Sequence, residues 1–140
     1  MKLITIICLP KIEFFNTYKK DTSIAKQCAN AIENKNIGNS NCFVFDKDMD
    51  SITNLQCCYY CYNTKVQKPI LLGDFKKGTW LFTGEQLMTV ISSNDYLYVN
   101  NTDPSFWIQY SDIFSDNINI ESNTLYKIEL SNNNILLKKQ

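Results

Sequence analysis

The chain has 140 residues, 44% hydrophobic and 20% charged, with 14 basic residues against 14 acidic ones. This is the profile of a globular chain long enough to bury a real core, and the zero net charge gives no general attraction to nucleic acid or to an anionic membrane surface. There is no histidine and every basic residue is a lysine, which excludes Ser-His-Asp and Cys-His dyads, imidazole metal ligands and the bidentate guanidinium fork.

In chain order, Met1-Lys2 and the apolar run Leu3–Leu9 come first. They read either as a weak or truncated signal segment within residues 1–10, lacking a small-x-small cleavage site, or as a buried first strand. Cleavage would remove Cys8. Lys11–Thr17 is a second short strand candidate. Asp21, Thr22 and Ser23 are each good helix N-caps ahead of IAKQCANAIENK. Ile24, Cys28, Ala31 and Ile32 share one face of that helix, so Cys28 is expected to point into the core. Gly38, among Asn36, Asn39 and Ser40, ends the segment.

The stretch from Cys42 to Cys61 holds four of the six cysteines. Cys42–Phe45 is a short β run, and Asp46–Asp50 (DKDMD) is expected to be exposed. Its alternating carboxylates match the first half of a calcium loop, but Ser51 stands where that loop needs glycine and Cys57 where it needs glutamate. A solvated acidic turn is the preferred reading. Cys58-Tyr-Tyr-Cys61 is formally C-x-x-C, yet no crossover helix is expected to follow it, against a thioredoxin-like redox site. Four thiolates drawn from Cys28, Cys42, Cys57 or Cys58, and Cys61 suit zinc chemically, although Cys28 and Cys42 are too far apart to make the usual second close pair. An even cysteine number confined to one half points instead to disulfides among Cys28, Cys42, Cys57, Cys58 and Cys61, with the pairing open, and to an oxidising compartment.

From Pro69 onward the pattern is apolar runs and polar turns: Ile70–Phe75, Thr79–Phe82, Leu87–Ile91, Tyr96–Val99, Phe106–Tyr110, Ile118–Ile120, Tyr126–Leu130 and Ile135–Leu137. They are expected to form an antiparallel β sandwich or small barrel with Trp80 and Trp107 buried in mid-strand. The expected fold class is mainly β with a short N-terminal helix, an α+β chain. It divides into a cysteine-stapled subdomain over 1–66 and an antiparallel β domain over 67–140.

The helix SIAKQCANAIENK, the strand Cys42-Phe-Val-Phe45 and the cysteines of Cys57–Cys61 together resemble the PAN/apple module over about Ile12 to Cys61. The usual second helix cysteine is missing, and Cys57-Cys58 adjacency is unusual for it. The resemblance implies a helix cysteine and a strand cysteine stapled beneath a small sheet. It also implies an extracellular module that binds protein or carbohydrate without catalysis. Asn100-Asn101-Thr102 is an N-glycosylation sequon in a predicted turn, compatible with secretion.

The expected function is a secreted or surface-exposed binding module for protein or carbohydrate, not an enzyme. It needs no cofactor or metal and has no nucleic-acid partner and no membrane span. Tyr59, Tyr60 and Tyr62 are its candidate contact surface, unless they pack on the cysteines. The alternative is an intracellular or viral structural protein with reduced or zinc-bound cysteines, which the incomplete signal and the Asn-, Ile- and Lys-rich, AT-biased composition favour. An enzyme would have to work from a carboxylate pair such as Asp46 and Asp48, or Asp112 and Asp116. The four glycines form no phosphate-binding loop.

Overall fold

The structure, a computed structural model, describes residues 24–67, 73–74, 79–80 and 83–140. The strands expected at Leu3–Leu9 and Lys11–Thr17, the signal segment, Cys8 and the caps at Asp21–Ser23 lie outside these residues, as does the Trp80 side chain.

Helix α1 runs over 24–34, with Ala25, Cys28, Ala29 and Ile32 buried along one face. Asn36 and Gly38 then take the left-handed backbone that ends it. Strand β1 (Asn41–Asp46) leads into helix α2 (Ser51–Tyr60) and strand β2 (Lys65–Val66). A two-stranded ribbon follows, β3 (Gly73–Asp74) with β4 (Thr79–Trp80). Then come helix α3 (Gly84–Ser92), strand β5 (Tyr96–Asn101), helix α4 (Pro104–Ile108) and a single 3-10 turn at Ser111–Ile113. Strands β6 (Thr124–Ser131) and β7 (Asn134–Lys139) close the chain as a hairpin. Its two loop residues, Asn132 and Asn133, both have positive φ, the geometry that matches the twist of paired strands.

Five strands form one mixed sheet in the order β2-β1-β5-β6-β7. β1 pairs in parallel with both β2 and β5, and the rest of the sheet is antiparallel. The chain thus leaves β1 toward β2 on one side and comes back to β5 on the other. Alternating side chains sort onto two cores. Phe43, Phe45, Leu97, Val99, Tyr126 and Ile135 face α3, α4 and the 3-10 turn. Cys42, Val44, Tyr98, Leu125 and Val66 face α1, Met49 and Cys57 of α2. Burial on both faces explains why CFVF and YLYV are continuous apolar runs rather than alternating ones.

This is an α+β fold, but the arrangement differs from the expected one. There is no sandwich or barrel among the described residues. Leu87–Ile91 is helical, because Thr83 caps the backbone of Gln86 while Gln86 caps Thr83 in return, and this outweighs the β-branched content. Phe106–Tyr110 is helix and turn, begun by Asp103 at the N-cap and Pro104 in the first turn. Trp107 is buried as expected, though from a helix. Ile118–Ile120 lies outside any strand. The boundary expected at 66/67 falls within one sheet, since β1 and β2 precede it while β5, β6 and β7 follow it. Asp46 and Met49, expected to be exposed, are buried. Among the described residues no helix is long and apolar enough to cross a membrane.

Candidate functional site

Where strand order reverses in a sheet with parallel strands, the helices leaving the two neighbouring strands go to opposite faces and a crevice opens at the strands' carboxyl ends. Here that point lies between β1 and β5. A crevice of about 470 Å³ sits there, lined by Asp46, Asp48, Asn100, Asn101, Asn123 and Gln27 among others.

Local structure explains why these side chains converge. The β1–β5 register pairs Phe45 with Val99 and then Asp46 with Asn101, so Asn100 is an extra residue in β5. Such a bulge re-aims a side chain at the end of a strand. The Asn100 amide donates to Asp46 Oδ2 at 2.7 Å, and Tyr98 Oη donates to Asn100 Oδ1 at 3.3 Å. The Asp48 backbone N–H donates to Asp46 Oδ1 at 2.8 Å. Both oxygens of Asp46, only 2% exposed, are therefore engaged. Burial, with Cys28 and Asp46 nearby, pushes the Tyr98 phenol up to about 12, so it stays protonated as the donor of this chain. Asn123 holds the far rim with a positive φ and donates its backbone N–H to the Asn100 carbonyl at 3.0 Å.

The acidic run DKDMD divides its carboxylates among three jobs. Asp46 braces the strand end and Asp48 stands exposed at the crevice. Asp50 caps α2, accepting from the Thr53 N–H and hydroxyl, both at 2.7 Å. Asp112 and Asp116 line a separate cavity of about 410 Å³ beside Trp107.

The other sequence candidates lie elsewhere. Tyr59 and Tyr62 are 83% and 90% exposed, and Tyr60 lies half-buried beneath the Lys26 ammonium, 5.5 Å from its ring centre. They sit at the opposite end of α2 from the crevice, about 15 Å along the helix. The acceptor nitrogen of the Asn100 sequon is the one held by buried Asp46, and Thr102 accepts a bond from the Trp107 indole. The folded chain offers that sequon no free amide.

The cysteines gather as expected but do not form the expected staple. Cys28, Cys42 and Cys57 are buried in one core cluster, with Cys58 and Cys61 packed against it. Among the described residues no disulfide is formed. Nor does any group of three or more Cys, Asp or Glu side chains stand as a metal site, so the four-thiolate zinc arrangement is not made. Burial first, then the Cys61 thiol, pushes Cys42 up to about 12, against a backbone hydrogen bond from Tyr98 that lowers it. Cys57 and Cys61 are also raised, Cys57 mainly by its hydrogen bond with Cys28 and Cys61 mainly by its bond with Cys57. Cys58 donates to the carbonyls of Val66 and Gln67, each at 3.4 Å. The C-x-x-C pair ends a helix rather than beginning one, where the helix dipole disfavours a thiolate. A β-α-β crossover does exist, with α2 between β1 and β2, but the pair stands at the end of its helix, and residues 61–67 after the pair form no helix.

Sequence reasoning missed Asn100, Tyr98 and Asn123. The available signal was two apolar runs, CFVF and YLYV, each ending directly in polar residues. In parallel strands those ends are where a site forms. Comparison with protein-family models, curated proteins and solved structures finds no match.

Proposed function

We propose that the protein acts by binding, without catalysis, and that its ligand is a neutral, polyhydroxylated molecule of carbohydrate type seated between the carboxyl ends of β1 and β5. One observation carries this reading: beside Ile24 and Ala31, the crevice at the reversal of strand order is lined by carboxylates, amides and hydroxyls, with no lysine among the described residues that line it. Carboxylate and amide oxygens accept from sugar hydroxyls, and amide N–H groups donate to them. Two carboxylates, with no lysine among the described lining residues, repel phosphate and other anions. Asp46 has both oxygens occupied by donors of its own chain, which suits a fixed wall better than a group that must take up and release a proton.

The test is calorimetry of the full chain against neutral oligosaccharides and their sulfated or phosphorylated counterparts. Saturable heats are expected with neutral ligands only, and Asp48→Ala is expected to weaken them at least about tenfold, the loss of about 1.4 kcal/mol. Preference for the anionic counterparts would overturn the reading.

A second reading, an intracellular or viral structural protein with reduced cysteines, has one observation in its favour. Cys28, Cys42 and Cys57 are free thiols buried in the core, and Cys61 is a free thiol packed against them. Thiol titration of the chain purified without reductant separates the two. All thiols reactive after unfolding favours the second reading, and their loss to disulfides favours a secreted module.

A further inference from the structure

The cavity of about 410 Å³ bordered by Asp112 and Asp116 shares no lining residue with the crevice. Its floor is apolar. Trp107 and Phe114 are buried there with ring centres 6.2 Å apart, and Ile118 is half-buried beside them. Ile108, the last residue of α4, also lines it while 70% exposed. These walls are held in place. The Trp107 indole N–H donates to Thr102 Oγ1 at 2.6 Å. Between the two aspartates, the Ser115 N–H donates to the Ile135 carbonyl at 2.9 Å, and the Asn134 side-chain amide to the Phe114 carbonyl at 3.5 Å. Both aspartates are exposed, and among the described residues neither carboxylate has a hydrogen bond or an ion pair. Glu121 and Glu129, by contrast, are paired with Lys139 and Lys138. No lysine stands among the described residues that line the cavity.

We propose that this cavity is a second binding site, for a small aliphatic amine in its ammonium form, with the nitrogen at Asp112 and Asp116 and the carbon chain against Ile108 and Ile118. A cleft that carries one sign of charge above low-dielectric walls focuses its field and concentrates the opposite ion. An ammonium group has three N–H donors, enough to serve both carboxylates together. The exposed Ile108 gains cover from an alkyl chain, which a bare metal ion does not give it. A metal ion also finds no third carboxylate or thiolate among the described residues. A sugar ring would need an open aromatic face, and Trp107 and Phe114 are only 4% and 5% exposed. The contrast with the crevice is in how the carboxylates are used. There Asp46 is taken up by donors of its own chain, amid amides, while here both carboxylates stand unpaired over an apolar floor. The site stands or falls independently of what the crevice binds.

The experiment is a backbone-amide NMR titration of the full chain with n-pentylamine at neutral pH, beside n-pentanol and pentanoate as neutral and anionic probes of the same length. Saturable shifts are expected with n-pentylamine at Ile108, Asp112, Asp116 and Asn117, with Asp46 and Asn100 unmoved. n-Pentanol is expected to bind at least about tenfold more weakly, for want of the charge, and pentanoate to give no shift. Methylamine, which lacks the chain, is expected to bind more weakly than n-pentylamine. Asp112→Asn and Asp116→Asn are each expected to weaken n-pentylamine at least about tenfold. The comparison of probes uses the unaltered chain, so it decides the matter even where a substitution disturbs the fold. Absence of saturable shifts at the cavity overturns the proposal, as do n-pentanol binding as tightly as n-pentylamine and shifts confined to the crevice.

Discussion

Asp46 is the residue on which the crevice depends. It ends β1 in the sheet interior and accepts from the Asn100 amide and the Asp48 N–H. Asp46→Ala leaves those donors without their acceptor, and the expected cost is about 1–3 kcal/mol in urea denaturation. Asp48 is exposed, so Asp48→Asn should change stability by less than about 0.5 kcal/mol. A second prediction at this scale concerns pH. Cys42 has its folded-state pKa raised from 9.0 to about 12. Above pH 9 the unfolded chain therefore loses that proton while the folded chain keeps it. Stability is full below the unfolded value and is lost as pH rises toward the folded one, by about 1.4 kcal/mol per pH unit for this thiol. Denaturation curves at successive pH values should show this slope. Cys42→Val should make it shallower by that amount, leaving the contributions of Cys57, Cys61, Tyr98 and Tyr110, which are raised in the same sense.

At the scale of elements, α1, β1, β5, β6 and β7 were legible because each carries a regular pattern or a continuous apolar run with clear punctuation. α2 was not, and its burial shows why. Thr53, Asn54, Gln56 and Cys57 turn inward while Leu55 and Tyr59 are exposed, so the hydrophobic pattern is inverted. The Gln56 amide is buried with no hydrogen-bond partner among the described residues, and Gln56→Met is expected to raise stability by about 1–3 kcal/mol in the same denaturation assay. α3 was misread because Leu87–Ile91 has β-branched content, yet its fate is decided by the cap. Thr83→Ala removes one half of the reciprocal cap and should cost about 1 kcal/mol. The crevice itself was only half legible. Asp46 and Asp48 could be named as a pair, but Asn100 enters only through the bulge in β5, a register effect that local sequence does not encode.

At the scale of the whole molecule, two cores hold one sheet between layers of helix. The core on the α3 and α4 side is centred on Phe45, whose ring lies 4.8 Å from both Phe106 and Trp107. Because Phe45 is the residue before Asp46, that core also fixes the floor of the crevice. Phe45→Ala should cost about 3–5 kcal/mol. The central claim is that a neutral polyhydroxylated ligand sits between the carboxyl ends of β1 and β5. The most direct measurement is a backbone-amide NMR titration of the full chain with a neutral oligosaccharide that binds in calorimetry. Saturable shifts are expected at Asp46, Asp48, Asn100, Asn101 and Asn123, with Tyr59 and Tyr62 unmoved. Shifts confined to the tyrosine end of α2, with the crevice amides unchanged, would contradict it.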